Sequence, residues 1–149
     1  MRLLVLSDSH GRVGIIQDII KKEKFDKIIF LGDGIRDFDY IENDNILKVV
    51  GNCDFFVGTE PKEIRIILEG VKTLITHGNL YKVKLGLESI IKEAKNGLFG
   101  LALFGHTHVQ QHIEIDGLHL VNPGSVYNGK YALIKIEEGN ICEVVLKSL

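Results

Sequence analysis

The stretch that decides the fold is Leu3-Leu4-Val5-Leu6-Ser7-Asp8-Ser9-His10-Gly11, followed by Val13 to Lys22. Four consecutive apolar residues that break into a polar, glycine-bearing loop read as a strand buried on both faces. The residues after the loop place Ile15, Ile16, Ile19 and Ile20 at helical spacing, which predicts a helix with one apolar stripe. Strand, loop and helix in that order open an α/β arrangement.

Working outward, the pattern recurs. Ile28 to Leu31 closes at Gly32-Asp33-Gly34, and Ile46 to Val50 runs into Gly51-Asn52-Cys53-Asp54. Runs spaced this way predict a mainly parallel sheet covered on both sides. Further on, Ile64, Ile66 and Leu68 alternate, Glu69-Gly70 turns, and Lys72 to Thr76 leads to His77-Gly78. A second helix carries Leu87, Ile90, Ile91 and Ala94 and stops at Asn96-Gly97. Leu101 to Phe104 then ends at Gly105-His106-Thr107-His108. Two hairpins follow, one turning at Asp116-Gly117 and one at Glu138-Gly139-Asn140. The expected class is α/β, with a mixed sheet or two packed sheets, few helices and an antiparallel C-terminal portion. No repeat, low-complexity tract or linker interrupts the chain, so residues 1–149 read as one domain.

Composition narrows the function. The 18 Lys and Arg nearly balance the 20 Asp and Glu, a formal net charge of -2. That excludes a polyelectrolyte, so neither tight nucleic-acid binding nor a polybasic membrane patch is expected. Cys53 and Cys142 cannot build a disulfide framework, which points to a reducing, cytoplasmic setting. The opening apolar run is too short for a signal-peptide or membrane-spanning core.

The ends of the apolar runs carry the chemistry. Each closes in a short glycine-bearing loop, and together these loops present Asp8, His10, Asp33, Asn52, His77, His106 and His108. Loops at the carboxyl ends of strands converge on a ligand in open α/β sheets. The adjoining glycines supply the sharp turns. Carboxylate, imidazole and amide oxygen suit Mn, Fe, Zn, Ni or Mg, and one Asp with two oxygens can bridge a metal pair. Two divalent cations outweigh two aspartates and a hydroxide, leaving a positive site that attracts a phosphate. Any one of these residues alone would be an ordinary turn former or a hydrogen-bonded histidine. It is the joint pattern that carries the reading. His112 and His119 fall within alternating strand segments and read as structural or exposed.

Asp8-Ser9-His10, Gly32-Asp33, Gly51-Asn52, His77-Gly78 and Gly105-His106-Thr107-His108, in this order, resemble the calcineurin-like metallophosphoesterase superfamily. The short length, Gly-Asn-Cys-Asp and Asn122-Pro123-Gly124-Ser125 are similar to its small bacterial and archaeal phosphodiesterase branch. The resemblance implies a four-layer α/β/β/α sandwich of two mixed sheets with a dinuclear site at one edge. It assigns Asp8, His10 and His108 to one metal, Asn52, His77 and His106 to the other, and Asp33 to both. Asp8, Asp33, Asn52 and His77 would then be catalytic, in the hydrolysis of a small phosphodiester by a metal-bridging hydroxide. Two rivals are a non-catalytic protein-binding scaffold, the use a retromer subunit makes of a similar fold, and a metal-dependent nuclease. All seven ligand positions are filled, which favours catalysis, and the oligomeric state, monomer or homo-oligomer, is left open.

The chain departs from the family pattern in two places. Gly32-Asp33-Gly34-Ile35-Arg36-Asp37 is one residue longer than the usual Gly-Asp-x-x-Asp, which takes Asp37 out of register. Cys53 stands where many members carry a substrate-contacting His, and reads as a small apolar filler of the site wall. Asp54 beside it reads as a carboxylate that organises the loop. Gly124 to Lys130 imitates a P-loop, but Tyr131 replaces the required Ser or Thr and opens a strand, so nucleotide binding by that route is rejected. Asn122 to Ser125 reads first as a turn and second as a wall of the substrate pocket.

Overall fold

The opening apolar run becomes the centre of a sheet. In the computed structural model, which describes residues 1–55 and 59–149, β1 (Arg2–Leu6) is followed by α1 (Val13–Lys22), β2 (Lys27–Phe30) and β3 (Ile46–Lys48). β4 (Glu63–Leu68) and β5 (Val71–Thr76) lead to α2 (Glu88–Asn96) and β6 (Leu101–Leu103). β7 (Gln111–Ile115), β8 (Leu118–Asn122), β9 (Lys130–Glu137) and β10 (Asn140–Ser148) complete the strands. Among the described residues they form two five-stranded sheets, ordered β10-β9-β1-β2-β3 and β4-β5-β6-β8-β7.

Apolar side chains define the layers. Leu3, Val5, Ile29 and Leu31 of the first sheet pack against Ile75, Leu101, Leu103 and Val121 of the second. The alternate residues Leu4, Leu6, Ile28 and Phe30 face Ile16 and Ile19 of α1. Leu74, Ala102 and Leu120 face Ile90 and Ala94 of α2. The result is helix, sheet, sheet, helix, as the resemblance implies. Truncating a core residue such as Ile29 to Ala would cost about 2–5 kcal/mol.

Both sheets are mixed, as expected: β1 is parallel to β2 but antiparallel to β9, and the C-terminal hairpin pairs antiparallel. That hairpin joins the first sheet, with β9 beside β1. The reason lies in β9 itself. Ala132, Ile134 and Ile136 join the core between the sheets, while Tyr131 and Leu133 join the core under α1. A strand apolar on both faces needs an interior place in a sheet, whereas β10, half-buried, takes the edge. Between β2 and β3 the chain makes a 3₁₀ turn over Ile35–Tyr40, anchored by buried Ile35 and Phe38.

β1, β2 and β3 run parallel, as do β5, β6 and β8, so their carboxyl ends gather at one edge of each sheet. The two edges meet: the His77 ring after β5 reaches the Leu31 carbonyl after β2, Nδ1 to O 2.7 Å. No helix of the described residues is long and apolar enough to cross a membrane.

Candidate metal centre

Each polar side chain of the site follows the end of a strand. Asp8 and His10 follow β1, Asp33 follows β2, His77 follows β5, and His106 and His108 follow β6. They gather into two groups whose donor atoms lie within 4.8 Å of one another and could hold a metal ion: Asp8, His10 and His108, and Asp33, His77 and His106. The groups are contiguous. Asp33 Oδ2 is 3.3 Å from His77 Nε2 and 4.0 Å from His10 Nε2, so it faces both. Asp8 Oδ1 is 3.0 Å from His108 Nε2, 3.7 Å from His10 Nε2 and 4.0 Å from His77 Nε2.

Each carboxylate is held by the loops through one oxygen and meets the imidazoles with the other. Asp33 Oδ1 accepts the Cys53 N–H at 2.8 Å, which turns Oδ2 to the imidazoles. Asp8 Oδ2 accepts the Ser7 hydroxyl and the His106 N–H, which leaves Oδ1 facing His10 and His108. The same logic sets His77. Its Nδ1 donates to Leu31, so Nε2, 3.2 Å from His106 Nδ1, is the nitrogen left to coordinate. Asp8, Asp33 and His77 are buried, whereas His10 and His108 are open to solvent.

The electrostatics follow from this packing. Burial alone would raise the Asp33 pKa, but the hydrogen bond and charge of His77 win and pull it from 3.8 to about 2. Burial would likewise depress His77, yet its bond to Asp33 and the charges of Asp8 and Asp33 hold it above the usual imidazole value. His106 is held low, first by burial and then by the neighbouring His77 and Lys84 charges. A metal ion would displace the proton that His77 holds, since a coordinating imidazole is neutral.

The backbone of the site is unusual. Asp8, His10, Asp33, His106 and His108 have φ of 54°, 43°, 60°, 70° and 62°. The adjoining glycines were expected to do the turning; the donor residues share it. Asp and His tolerate the left-handed region better than most residues, but it still costs about 1–2 kcal/mol at each. That cost is carried by a set of polar braces. Asp54 accepts four backbone N–H groups, from Asp33, Gly34, Ile35 and Gly51 at 2.7–3.1 Å, and so organises the loop as its position suggested. Asp37 braces the first loop, taking the Ser9 hydroxyl at 2.6 Å and the Gly11 N–H at 2.9 Å. Gly51 lies so close to Asp33 that a Cβ would sit 2.1 Å from its Oδ1.

Two braces were hidden in what read as a turn. Asn122 Nδ2 donates to the Gly105 carbonyl and to Thr107 Oγ1, both at 3.0 Å, fixing the His106–His108 loop. The Ser125 hydroxyl donates to the Asp8 carbonyl at 2.8 Å. Asn-Pro-Gly-Ser is typical turn chemistry, and only its burial distinguishes these two residues. The rejected P-loop is confirmed as something else, since residues 126–128 form a 3₁₀ turn that leads into β9.

Asn52 is exposed, and its side-chain hydrogen bond is not with the second group but with its neighbour, its amide Nδ2 lying 3.5 Å from Cys53 Sγ. Cys53 is exposed too, so it does not fill the wall of the site; its contribution is the backbone N–H on Asp33. Burial of the thiol and the Asp33 charge raise its pKa. His112 and His119 lie on β7 and β8, away from the site, stacked on each other with centroids 5.2 Å apart.

The model of the calcineurin-like phosphoesterase superfamily domain matches residues 1–139. The chain belongs to that family. It is 31% identical over 128 residues to a probable metallophosphoesterase of Bacillus subtilis, covering 85% of this chain and 75% of that one. It is 29% identical over 146 residues to a phosphodiesterase of Methanocaldococcus jannaschii, covering 83% of each. Among solved structures, a predicted phosphoesterase of Streptococcus pneumoniae superposes with a TM-score of 0.81 at 24% identity, over 99% of this chain and 88% of that one. Vps29 of Entamoeba histolytica, solved with zinc, gives 0.79 at 16% identity, over 100% and 98%. These two likenesses concern the fold alone.

Proposed function

We propose that this phosphoesterase is a metal-dependent phosphodiesterase acting on a small diester at a dinuclear centre. The observation that carries the reading is the placement of Asp33 Oδ2 between the two groups, 3.3 Å from His77 and 4.0 Å from His10. Asp8, His10 and His108 would hold one divalent ion, His77, His106 and Asn52 the other, and Asp33 both. The donor set of carboxylates, imidazoles and an amide suits Mn, Ni, Fe, Zn or Mg. When bound, such a pair lowers the pKa of water and polarises phosphoryl oxygens.

The chain's own residues do the rest. The buried carboxylates hold the imidazoles in one orientation, and the open side at His10 and His108 admits the ester. No imidazole stands at residue 53 to protonate the departing alcohol, and loss of solvation and the Asp33 charge raise the pKa of the thiol there. Esters with good leaving groups, such as aryl esters, are therefore the favoured substrates. We read residues 1–149 as one domain, working in the cytoplasm without tight nucleic-acid binding. The complete donor set favours catalysis over the protein-binding scaffold that the fold also supports.

The test is turnover of bis(p-nitrophenyl) phosphate with added Mn or Ni against the same protein in chelator. Metal dependence and loss of at least about 100-fold in His77→Ala are expected. Equal rates with and without chelator would sink the reading.

A further inference from the structure

Large apolar side chains are exposed on the loops that carry the metal centre. Of the nine that are exposed among the described residues, Phe55, Leu80, Leu85, Val109 and Tyr127 follow the carboxyl ends of β3, β5, β6 and β8. Phe55 and Leu80 line a cavity of about 270 Å³ together with Asn52. Val109 follows His108, and Leu85 follows Lys84, the cation that acts on His106. An apolar rim around a centre that attracts anions fits a ligand with one charged and one apolar part.

Tyr127 is the most firmly placed of the five. Its N–H donates to the Asp8 carbonyl at 3.2 Å, the same oxygen that accepts the Ser125 hydroxyl. The preceding Val126 is buried in the core under α1. The Arg12 guanidinium lies over the ring, 4.4 Å from its centroid, and the Arg12 N–H is tied back to the Ser9 carbonyl at 3.0 Å. The ring is thus fixed by the backbone that carries Asp8 and by the loop that carries His10. It remains 46% exposed, so ring surface is available to a ligand.

We infer that Tyr127, backed by Arg12, is a stacking platform for a flat aromatic arm of the substrate, such as an aryl group or a nucleobase. The inference rests on the phosphoesterase centre beside it and adds which esters that centre prefers. A phosphoryl group at the metal centre brings its ester arm to the rim. A planar arm there gains stacking on Tyr127, whereas a small alkyl arm gains nothing. Arg12 holds the ring in place, and its charge also favours an electron-rich ring.

The test is calorimetric binding of phenyl phosphate and methyl phosphate to the metal-loaded protein, with turnover of bis(p-nitrophenyl) phosphate measured in parallel. Phenyl phosphate is expected to bind about tenfold more tightly. That preference should fall to within about twofold in Tyr127→Ala, persist in Tyr127→Phe and shrink in Arg12→Ala. Equal affinities in the parent protein, or a preference that survives Tyr127→Ala, would overturn the platform even if diesters are hydrolysed. A preference that collapses in Tyr127→Ala while no diester is hydrolysed would uphold the platform and overturn the proposed reaction. Failure of both phosphates to bind would overturn the platform, and with no diester hydrolysed it would overturn the proposed reaction as well.

Discussion

The two edges of the sandwich use the same backbone conformation for opposite ends. At one edge the hairpin turns Glu69-Gly70, Asp116-Gly117 and Glu138-Gly139 put a non-glycine residue at φ of 48–50° before a glycine at φ of 77–82°. All six residues are exposed, and positive φ at both central positions matches the twist of the flanking strands. At the other edge left-handed backbone falls on Asp8, His10, Asp33, His106 and His108, beside buried polar groups. Nine of the ten buried polar residues, all but Thr73, lie at this edge. A turn tolerates left-handed backbone because solvent and glycine make it cheap. The metal edge tolerates it because Asp54, Asp37, Asn122 and Ser125 leave the loops no alternative.

Paired glycine substitutions should expose this difference most strongly. Gly51→Ala would place a Cβ 2.1 Å from Asp33 Oδ1 and 2.6 Å from Asp33 N, neither of which can yield. A loss of about 3 kcal/mol in denaturant unfolding is expected, with weakened metal binding. Gly117→Ala meets nothing within 4 Å, and only its φ of +79° is strained. It should cost about 1–2 kcal/mol and leave turnover unchanged. Equal costs at the two sites would mean that the edges do not differ in packing.

Asp54→Asn sharpens the comparison within the metal edge. Whichever way the amide is turned, its NH₂ faces two of the four N–H groups that the carboxylate accepts. The expected cost is about 2–3 kcal/mol, with a fall of about 10–100-fold in turnover. Unchanged turnover would make Asp54 a stability device only.

The metal-free protein should also reveal its site through pH. Asp33, lowered to about 2, contributes stability above its unfolded value of 3.8 and loses it as pH falls towards 2. His77, raised, contributes fully below about pH 6.5 and loses that contribution as pH climbs through its folded value. Melting temperature should therefore peak between about pH 4 and 6.5 without metal. The rise in melting temperature on adding Mn should grow as pH climbs above about 6.5 through the raised value of His77, because the ion must displace the His77 proton. A metal effect independent of pH would remove His77 from the coordinating set.

The smallest effect is expected at Thr76. Its buried hydroxyl has no hydrogen-bond partner among the described residues. Thr76→Val should be neutral or raise the melting temperature by about 3 °C. A clear destabilisation would show that the hydroxyl is paired in solution.

Local pattern made much of this legible beforehand. α1 over Val13–Lys22, the alternating hairpins and the donor residues at strand ends all follow from short-range spacing, and the structure has them there. What escaped was non-local. β9 reads as half of a hairpin, and nothing near it in sequence says that its other edge pairs with β1. Asn122 and Ser125 read as turn formers because their function depends on burial beneath loops far away in the chain. The exposure of Cys53 escaped for the same reason.

The position of β1 has a consequence for how the protein comes to exist. One neighbour, β2, arrives early: the Arg2 N–H already meets the Asp26 side chain, 24 positions on. The other arrives late, since the Met1 amino group bonds the Ile136 carbonyl, 135 positions away. During synthesis the strand that leads to Asp8 must wait with one edge bare until β9, which begins at Lys130, has emerged. Long-range closure of this kind slows folding, and a bare apolar strand edge invites pairing with other chains. The edge that carries the donor groups therefore assembles last, and the molecule is most vulnerable to aggregation just before that edge forms.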